Sequence, residues 1–113
     1  MEHIEERIHN RRSVRTFDGK EIRPEDLEKL SSFAKRIENP YGIPVEFKLL
    51  DGRKQTLKCP VVSGTHLYIG AKSPSMPHME EAFGYSFEML VLYAQSIGIG
   101  TVWVGGTMGS RCF

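Results

Sequence analysis

The side chains best suited to chemistry in this 113-residue sequence lie in a basic segment, residues 11–17. This segment holds three arginines and two hydroxyl side chains, and nothing acidic lies within it. In an extended chain its alternate residues point to one side, and the planar guanidinium fork matches phosphate oxygens. The segment therefore predicts an anion pocket, although a solvated basic turn between two helices stays open. The side chains on that side would be Arg11, Ser13 and Arg15.

Other reactive side chains do not form a recognisable catalytic or metal-binding pattern. Ser13 has no histidine close to it in sequence, and Cys59 and Cys112 lie far apart without metal-type spacing. The four histidines are scattered, with no pair four residues apart on one helix. We expect neither a metal site nor a side-chain nucleophile.

Composition and charge limit the class of protein. The chain has the length of one domain, residues 1–113. Its 40% hydrophobic and 26% charged residues are typical of a globular protein, and a net charge of +1 argues against a nucleic-acid partner. No apolar run approaches the length of a membrane span, and the charged N-terminus is unlike a signal peptide. We expect a cytoplasmic protein without membrane contact.

Two amphipathic helices are predicted in the first third of the chain. Residues 2–10 place Ile4 and Ile8 on one face and end near Asn10. Residues 24–37 begin at a proline that suits a first helical turn. The apolar face of this second helix would be Leu27, Leu30, Phe33, Ala34 and Ile37. Its solvent face would be Glu25, Asp26, Glu28, Lys29, Lys35 and Arg36.

Three strands and one long helix follow. Residues 45–50 alternate as a strand, residues 66–71 form a mostly buried strand, and residues 101–104 form a buried strand that ends at Gly105 and Gly106. Between the last two strands, residues 78–97 form a helix that is apolar around most of its circumference and has Gly98 as its C-cap. Such a helix lies either in the core or at a subunit interface. The order of elements gives an α+β fold with one sheet packed by helices.

Two motifs together resemble a known family. The basic segment (RRSVRTF) is similar to the N-terminal phosphate motif of the nitroreductase family of flavin enzymes. Residues 93–106 (YAQSIGIGTVWVGG) resemble the end of that family's central helix and the strand after it. Within the family the resemblance is closest to the subgroup of short chains.

The resemblance implies a nitroreductase-like fold, with a central antiparallel or mixed sheet flanked by helices and a long buried central helix. It implies a homodimer formed through helix 78–97, with FMN at the interface, NAD(P)H as reductant and a nitro, quinone or related small molecule as acceptor. The flavin carries the chemistry, so no catalytic side chain is expected. The implied cofactor-binding residues are Arg11, Arg12, Ser13, Arg15, Gly105 and Gly106.

Two departures from the family pattern bear on this expectation. The family loop that touches flavin with a Pro-Ser-x-x-Asn pattern corresponds here to residues 39–44, so the roles of Asn39 and Tyr41 stay open. The sequence also stops soon after the glycine pair, where family members continue with another helix, a strand and a further basic residue. The alternative is therefore a truncated, non-catalytic or flavin-free dimerisation domain.

Overall fold

The computed structural model describes residues 3–14, 17, 21–51 and 67–103. These residues form three helices and one two-stranded antiparallel sheet, which is an α+β arrangement compatible with the predicted fold class. The described elements start and end within two residues of the predicted boundaries, while Glu2 and His66 lie outside the described residues. In chain order the elements are α1 (Ile4–Asn10), α2 (Pro24–Arg36), β1 (Glu46–Asp51), β2 (Leu67–Lys72) and α3 (Met79–Ser96).

Helix α1 is short and lies against α3. It follows His3, which has a positive φ, and it ends at Asn10, as predicted, because Arg11 turns into extended backbone. Its apolar residues are not covered by the described part of the chain: Ile4 is exposed, and Ile8 is 56% exposed. The predicted apolar face is thus present, but it faces outward.

Helix α2 begins at Pro24, where a missing N–H costs no helical hydrogen bond. Leu30 is its fully buried core residue. The prediction for Asp26 was wrong, because this carboxylate is only 8% exposed rather than on the solvent face. It sits in the first turn and accepts a hydrogen bond from Nε of Arg23 at 3.3 Å. This contact compensates for its burial and raises the pKa of the Arg23 guanidinium.

The sheet pairs β1 with β2, placing Glu46 opposite Lys72 and Asp51 opposite Leu67. In β1 the exposed Glu46 and Lys48 alternate with less exposed apolar residues, as predicted for a strand with one covered face. The residues of β2 up to Ala71 are half-buried and Lys72 is exposed, so the strand is covered, though less completely than a core strand. Within the described residues the sheet has two strands, so neither of them is an inner strand.

The core lies where α2, the sheet and α3 meet. Leu30, Leu90 and Ala94 are each at most 3% exposed and form its centre. Around them pack half-buried apolar residues, among them Phe33 and Tyr93, whose rings stack with centroids 4.1 Å apart. The C-terminal half of α3 is thereby held in place, and its last turn is the part that reaches the candidate site.

Helix α3 ends in a glycine motif that turns the chain. Gly98 has φ +83°, and its N–H donates to the carbonyl of Gln95, while the N–H of Ile99 donates to the carbonyl of Ala94. This pair of bonds is the Schellman arrangement, with Ile97 as the C-cap and Gly98 directly after it. A glycine was expected here, and the motif directs residues 99–103 back along the molecule.

The predicted buried strand at residues 101–104 is not formed as expected within the described chain. Thr101 makes an isolated parallel bridge with Ser13, whereas Val102 and Trp103 are not in a strand. Trp103 is 44% exposed. Among the described residues this bridge has no neighbouring pair that would extend it into a ladder. Val104 lies outside the described residues.

Candidate anion site

Two distant segments meet to form the site. Ser13 pairs with Thr101, and the N–H of Val14 donates to the carbonyl of Thr101 at 2.9 Å. The basic segment is therefore joined to the residues that follow α3. These are the two stretches that carry the resemblance to one family, and the structure brings them into contact.

A glycine allows this close approach. A Cβ placed on Gly100 would lie 2.7 Å from Cγ2 of Val14, which is closer than real side chains come. Gly100 therefore lets the chain after α3 lie directly against the basic segment. The sequence showed the pair Gly98 and Gly100, but only the structure gives the reason for the second one.

A hollow of about 240 Å³ opens beside this junction and is called here the arginine hollow. It lies between the residues after α1 and the end of α3. Its lining residues are Arg11, Arg12, Val14, Gln95, Gly98, Ile99, Gly100 and Thr101.

Arg11 is oriented by three contacts from its two terminal nitrogens. Nη1 donates to Oγ of Ser13 at 3.3 Å, and Nη2 lies 3.4 Å from Oγ1 and 3.5 Å from the carbonyl oxygen of Thr101. Its Nε is buried and has no hydrogen-bond partner in the part of the chain that the structure describes. A buried N–H without a partner is unfavourable, so this arginine is positioned with one donor left for a ligand.

Arg12 is used differently from Arg11. Its Nη1 donates to the carbonyl oxygens of His9 and Arg11, at 2.8 and 2.9 Å. The guanidinium thus caps the carbonyl end of α1, where positive charge is favourable. It also lines the arginine hollow, so the same group can serve the helix end and an anion.

The charge around the arginine hollow is not neutralised by the described residues. Arg7 lies one helical turn before Arg11, and its buried Nε also has no partner. No carboxylate of the described chain forms an ion pair with Arg7, Arg11 or Arg12. Close like charges without a counter-charge repel each other, and a bound anion would relieve this repulsion.

Gln95 is a residue that sequence reasoning missed. It lies in the last turn of α3 and lines the arginine hollow, and its buried Oε1 has no hydrogen-bond partner among residues 3–14, 17, 21–51 and 67–103. Thr101 was also missed as a partner of Arg11. An amide in the last turn of an otherwise apolar helix could have indicated Gln95, whereas the contact of Thr101 needed the fold.

The predicted site residues divide into two groups. Arg11 and Ser13 are brought together, as extended backbone would require, and Arg12 lies beside them at the arginine hollow. Arg15, Gly105 and Gly106 lie outside the described residues.

The segment that leads toward Gly105 and Gly106 is anchored on α3. Nε1 of Trp103 donates to Oε2 of Glu88 at 2.9 Å, and the Trp103 ring lies 4.8 Å from the ring of Phe87, centroid to centroid. These contacts fix the chain two positions before the glycine pair.

Asn39, whose role was open, is engaged within its own loop. Its side-chain amide donates to the carbonyl of Ile43 at 2.7 Å and to Oγ of Ser86 at 3.2 Å, and its Oδ1 accepts from the N–H groups of Tyr41 and Ile43. Asn39 therefore holds the loop against α3 rather than presenting a free polar group.

A larger cleft of about 540 Å³ lies between α2 and β1. Its floor consists of core residues such as Leu30, Phe47 and Leu90. None of the described residues that line it has a buried, unpartnered side-chain polar atom. The arginine hollow, with two such atoms, is the better candidate for a specific polar ligand.

The described parts of the chain contain neither a metal-binding cluster nor a membrane-spanning helix. No group of three or more histidine, cysteine, aspartate or glutamate residues there could hold a metal ion. None of the helices described is long and apolar enough to cross a bilayer.

The described residues form an α+β arrangement with a hollow that is lined by two arginines and two glycines. The family model described as "Putative TM nitroreductase" matches residues 3–113. The chain therefore belongs to this nitroreductase family, which supports a general oxidoreductase role. No curated protein and no solved structure matches the chain significantly.

Proposed function

We propose that this protein is an FMN-dependent oxidoreductase of nitroreductase type. It would pass hydride from NAD(P)H to the flavin and the electrons on to a nitro, quinone or related acceptor. The observation that carries the proposal is the contact between the basic segment and the residues after α3, with the unpartnered Nε of Arg11 at the arginine hollow.

The phosphate of FMN would be held by Arg11, Arg12, Ser13 and Arg15. Arg11 is already oriented toward the hollow by Ser13 and Thr101, so little side-chain freedom is lost on binding. Each hydrogen bond between a guanidinium and the phosphate would contribute about 1.5–3 kcal/mol. The hollow lies beside the carbonyl ends of α1 and α3, where the helix dipole is negative. Affinity for an anion therefore comes from the arginines and not from the helices.

The chain's own part in the reaction is to bind and orient. When bound, the isoalloxazine ring supplies the hydride and electron transfer, so no side chain has to act as nucleophile or metal ligand. Gly105 and Gly106 would allow the ring to lie close to the backbone. The contacts of Trp103 with Glu88 and Phe87 would hold the segment that leads to them.

A homodimer formed through helix 78–97 is part of the proposal, and so is a cytoplasmic location. On α3, Tyr85 is 45% exposed, and open space surrounds the position of a Cβ on Gly84. Glycine in a helix interior is unfavourable when nothing needs the space. A second chain packed against Gly84 and Tyr85 would account for both features, and the exposed Ile4 and Ile8 add apolar surface on α1.

The test is whether the purified protein carries flavin. It should be yellow, release FMN on denaturation, and lose its flavin absorbance when NADH or NADPH is added without oxygen. A nitroaromatic or quinone should then restore the absorbance. A colourless protein that takes up no added FMN would refute the proposal.

A further inference from the structure

Two residues that line the arginine hollow each carry a buried polar atom without a hydrogen-bond partner among the described residues, and the two atoms are of opposite kind. Nε of Arg11 is a hydrogen-bond donor, and Oε1 of Gln95 is an acceptor. Both are buried, and both residues line the same hollow of about 240 Å³. A phosphate dianion offers only acceptors, so it can satisfy Arg11 but not Gln95.

Gln95 is well fixed for a binding role. Its backbone carbonyl accepts the N–H of Gly98 at 3.1 Å, within the motif that ends α3. Its neighbour Ala94 is part of the buried core. The amide therefore projects from a rigid helix end, and its oxygen requires a donor from whatever fills the hollow.

We propose that the arginine hollow selects a phosphate ester whose alcohol part carries a further hydroxyl group. The phosphate binds Arg11, and the hydroxyl donates to Oε1 of Gln95. The proposal rests on the proposed function, since the phosphate of FMN is attached to a ribityl chain that carries hydroxyl groups. It goes further in assigning recognition of this chain to Gln95.

The competing explanation is that Gln95 serves Arg11 instead of the ligand. A rotation of either side chain could let Oε1 of Gln95 accept from Nε of Arg11. In that case Gln95 would affect every phosphate equally, whether or not a hydroxyl is present. The two explanations differ in ligand selectivity and not merely in affinity.

The experiment compares two small esters of similar size, sn-glycerol 3-phosphate and n-propyl phosphate, of which only the first has hydroxyl groups. Binding to the full chain is followed by NMR through the Arg11 Nε–H and backbone amide signals. The parent should bind glycerol 3-phosphate about three- to tenfold more tightly, as one net hydrogen bond implies. In Gln95→Met, which is close in size and helix propensity, this ratio should fall to about one, with affinity for propyl phosphate unchanged.

Ser96→Ala is the matched control, because Ser96 is the next residue on α3 and bonds only the carbonyl of Tyr93 among the described groups. It should keep the parental ratio. A ratio of one in the parent, or an equal loss of both esters in Gln95→Met, overturns the proposal.

An FMN titration separates the proposal from the proposed function. If the parent and Gln95→Met bind FMN equally well, the role of Gln95 is wrong while the function stands. If the parent selects glycerol 3-phosphate through Gln95 but does not bind FMN, the inference stands and the flavin function fails.

Discussion

Arg11 divides its donors between the protein and the hollow. Its terminal nitrogens donate hydrogen bonds to Ser13 and Thr101, and its Nε has no partner among the described residues. A lysine has one nitrogen and cannot hold two protein groups and a ligand with the same geometry. This division of donors makes arginine specifically necessary at position 11.

Arg11→Lys should therefore weaken FMN binding by at least about tenfold, which corresponds to the loss of about 1.4 kcal/mol. Because lysine keeps the positive charge, a loss of affinity of this size would come from the loss of the forked guanidinium geometry. Quenching of flavin fluorescence on titration of the apoprotein measures the dissociation constant.

Arg12→Lys is the matched control. Nη1 of Arg12 donates to the carbonyl of His9 in α1 and to that of Arg11 directly after the helix, and a lysine at a helix C-terminus can also approach such carbonyls. Its effect on FMN binding should be clearly smaller. If Arg11→Lys and Arg12→Lys weakened FMN binding equally, the special role of the Arg11 guanidinium would be contradicted.

At this scale the sequence predicted part of the site. The alternation of Arg11 and Ser13 placed them together correctly, because extended backbone has a fixed period. That Gln95 and Thr101 line the same hollow could not be predicted, since Thr101 comes beside the end of α3 only after the turn at Gly98. The prediction that Asp26 faces solvent was wrong for a related reason. Helical periodicity does not show that this carboxylate pairs with Arg23, the residue before the helix.

Among the elements, the helix ends were the most predictable features. Pro24 and Gly98 act through backbone geometry alone, so their effects are local and visible in sequence. The strand expected at residues 101–104 was wrong because pairing depends on a distant partner, and the described partner provides one bridge at Ser13. The junction between the two segments depends instead on the fit of Val14 against Gly100.

Gly100→Ala should destabilise the protein by about 1–3 kcal/mol, the usual cost of forcing extra atoms into a packed contact. The added methyl group would meet Cγ2 of Val14 and push the two segments apart. Urea unfolding of the single variants and of the double variant with Val14→Ala gives the coupling between the two positions. The double variant should be less destabilised than the two single losses combined. Strict additivity would show that the two side chains do not meet.

At the scale of the whole molecule, the exposure of each apolar side chain shows whether it belongs to the core or could belong to the proposed dimer interface. Leu90 lies on the helix that the sequence placed either in the core or at a subunit interface, and it is 2% exposed and belongs to the core with Leu30. A charge at Leu90 would therefore unfold the chain rather than report on assembly. Tyr85, 45% exposed on the same helix, is the appropriate position to test.

Tyr85→Lys should weaken the proposed dimer by about tenfold or more, since an interface tyrosine often contributes 2 kcal/mol or more. The thermal stability of the subunit should change little, because the side chain is not in its core. Sedimentation over a range of concentrations measures the dimer constant. Met76→Lys, at a residue 46% exposed in the loop before α3, is the control. An unchanged dimer in Tyr85→Lys would place the interface elsewhere.

The contact between Arg11 and Thr101 joins residues 90 positions apart and so has a kinetic consequence. Closing so long a loop is entropically costly and slow compared with forming the helices themselves. During synthesis on the ribosome, the hollow cannot be completed until Thr101 has emerged. The proposed phosphate ligand would bind only the closed form and would stabilise that form by mass action. Cofactor supply would then influence how much newly made chain reaches its finished state.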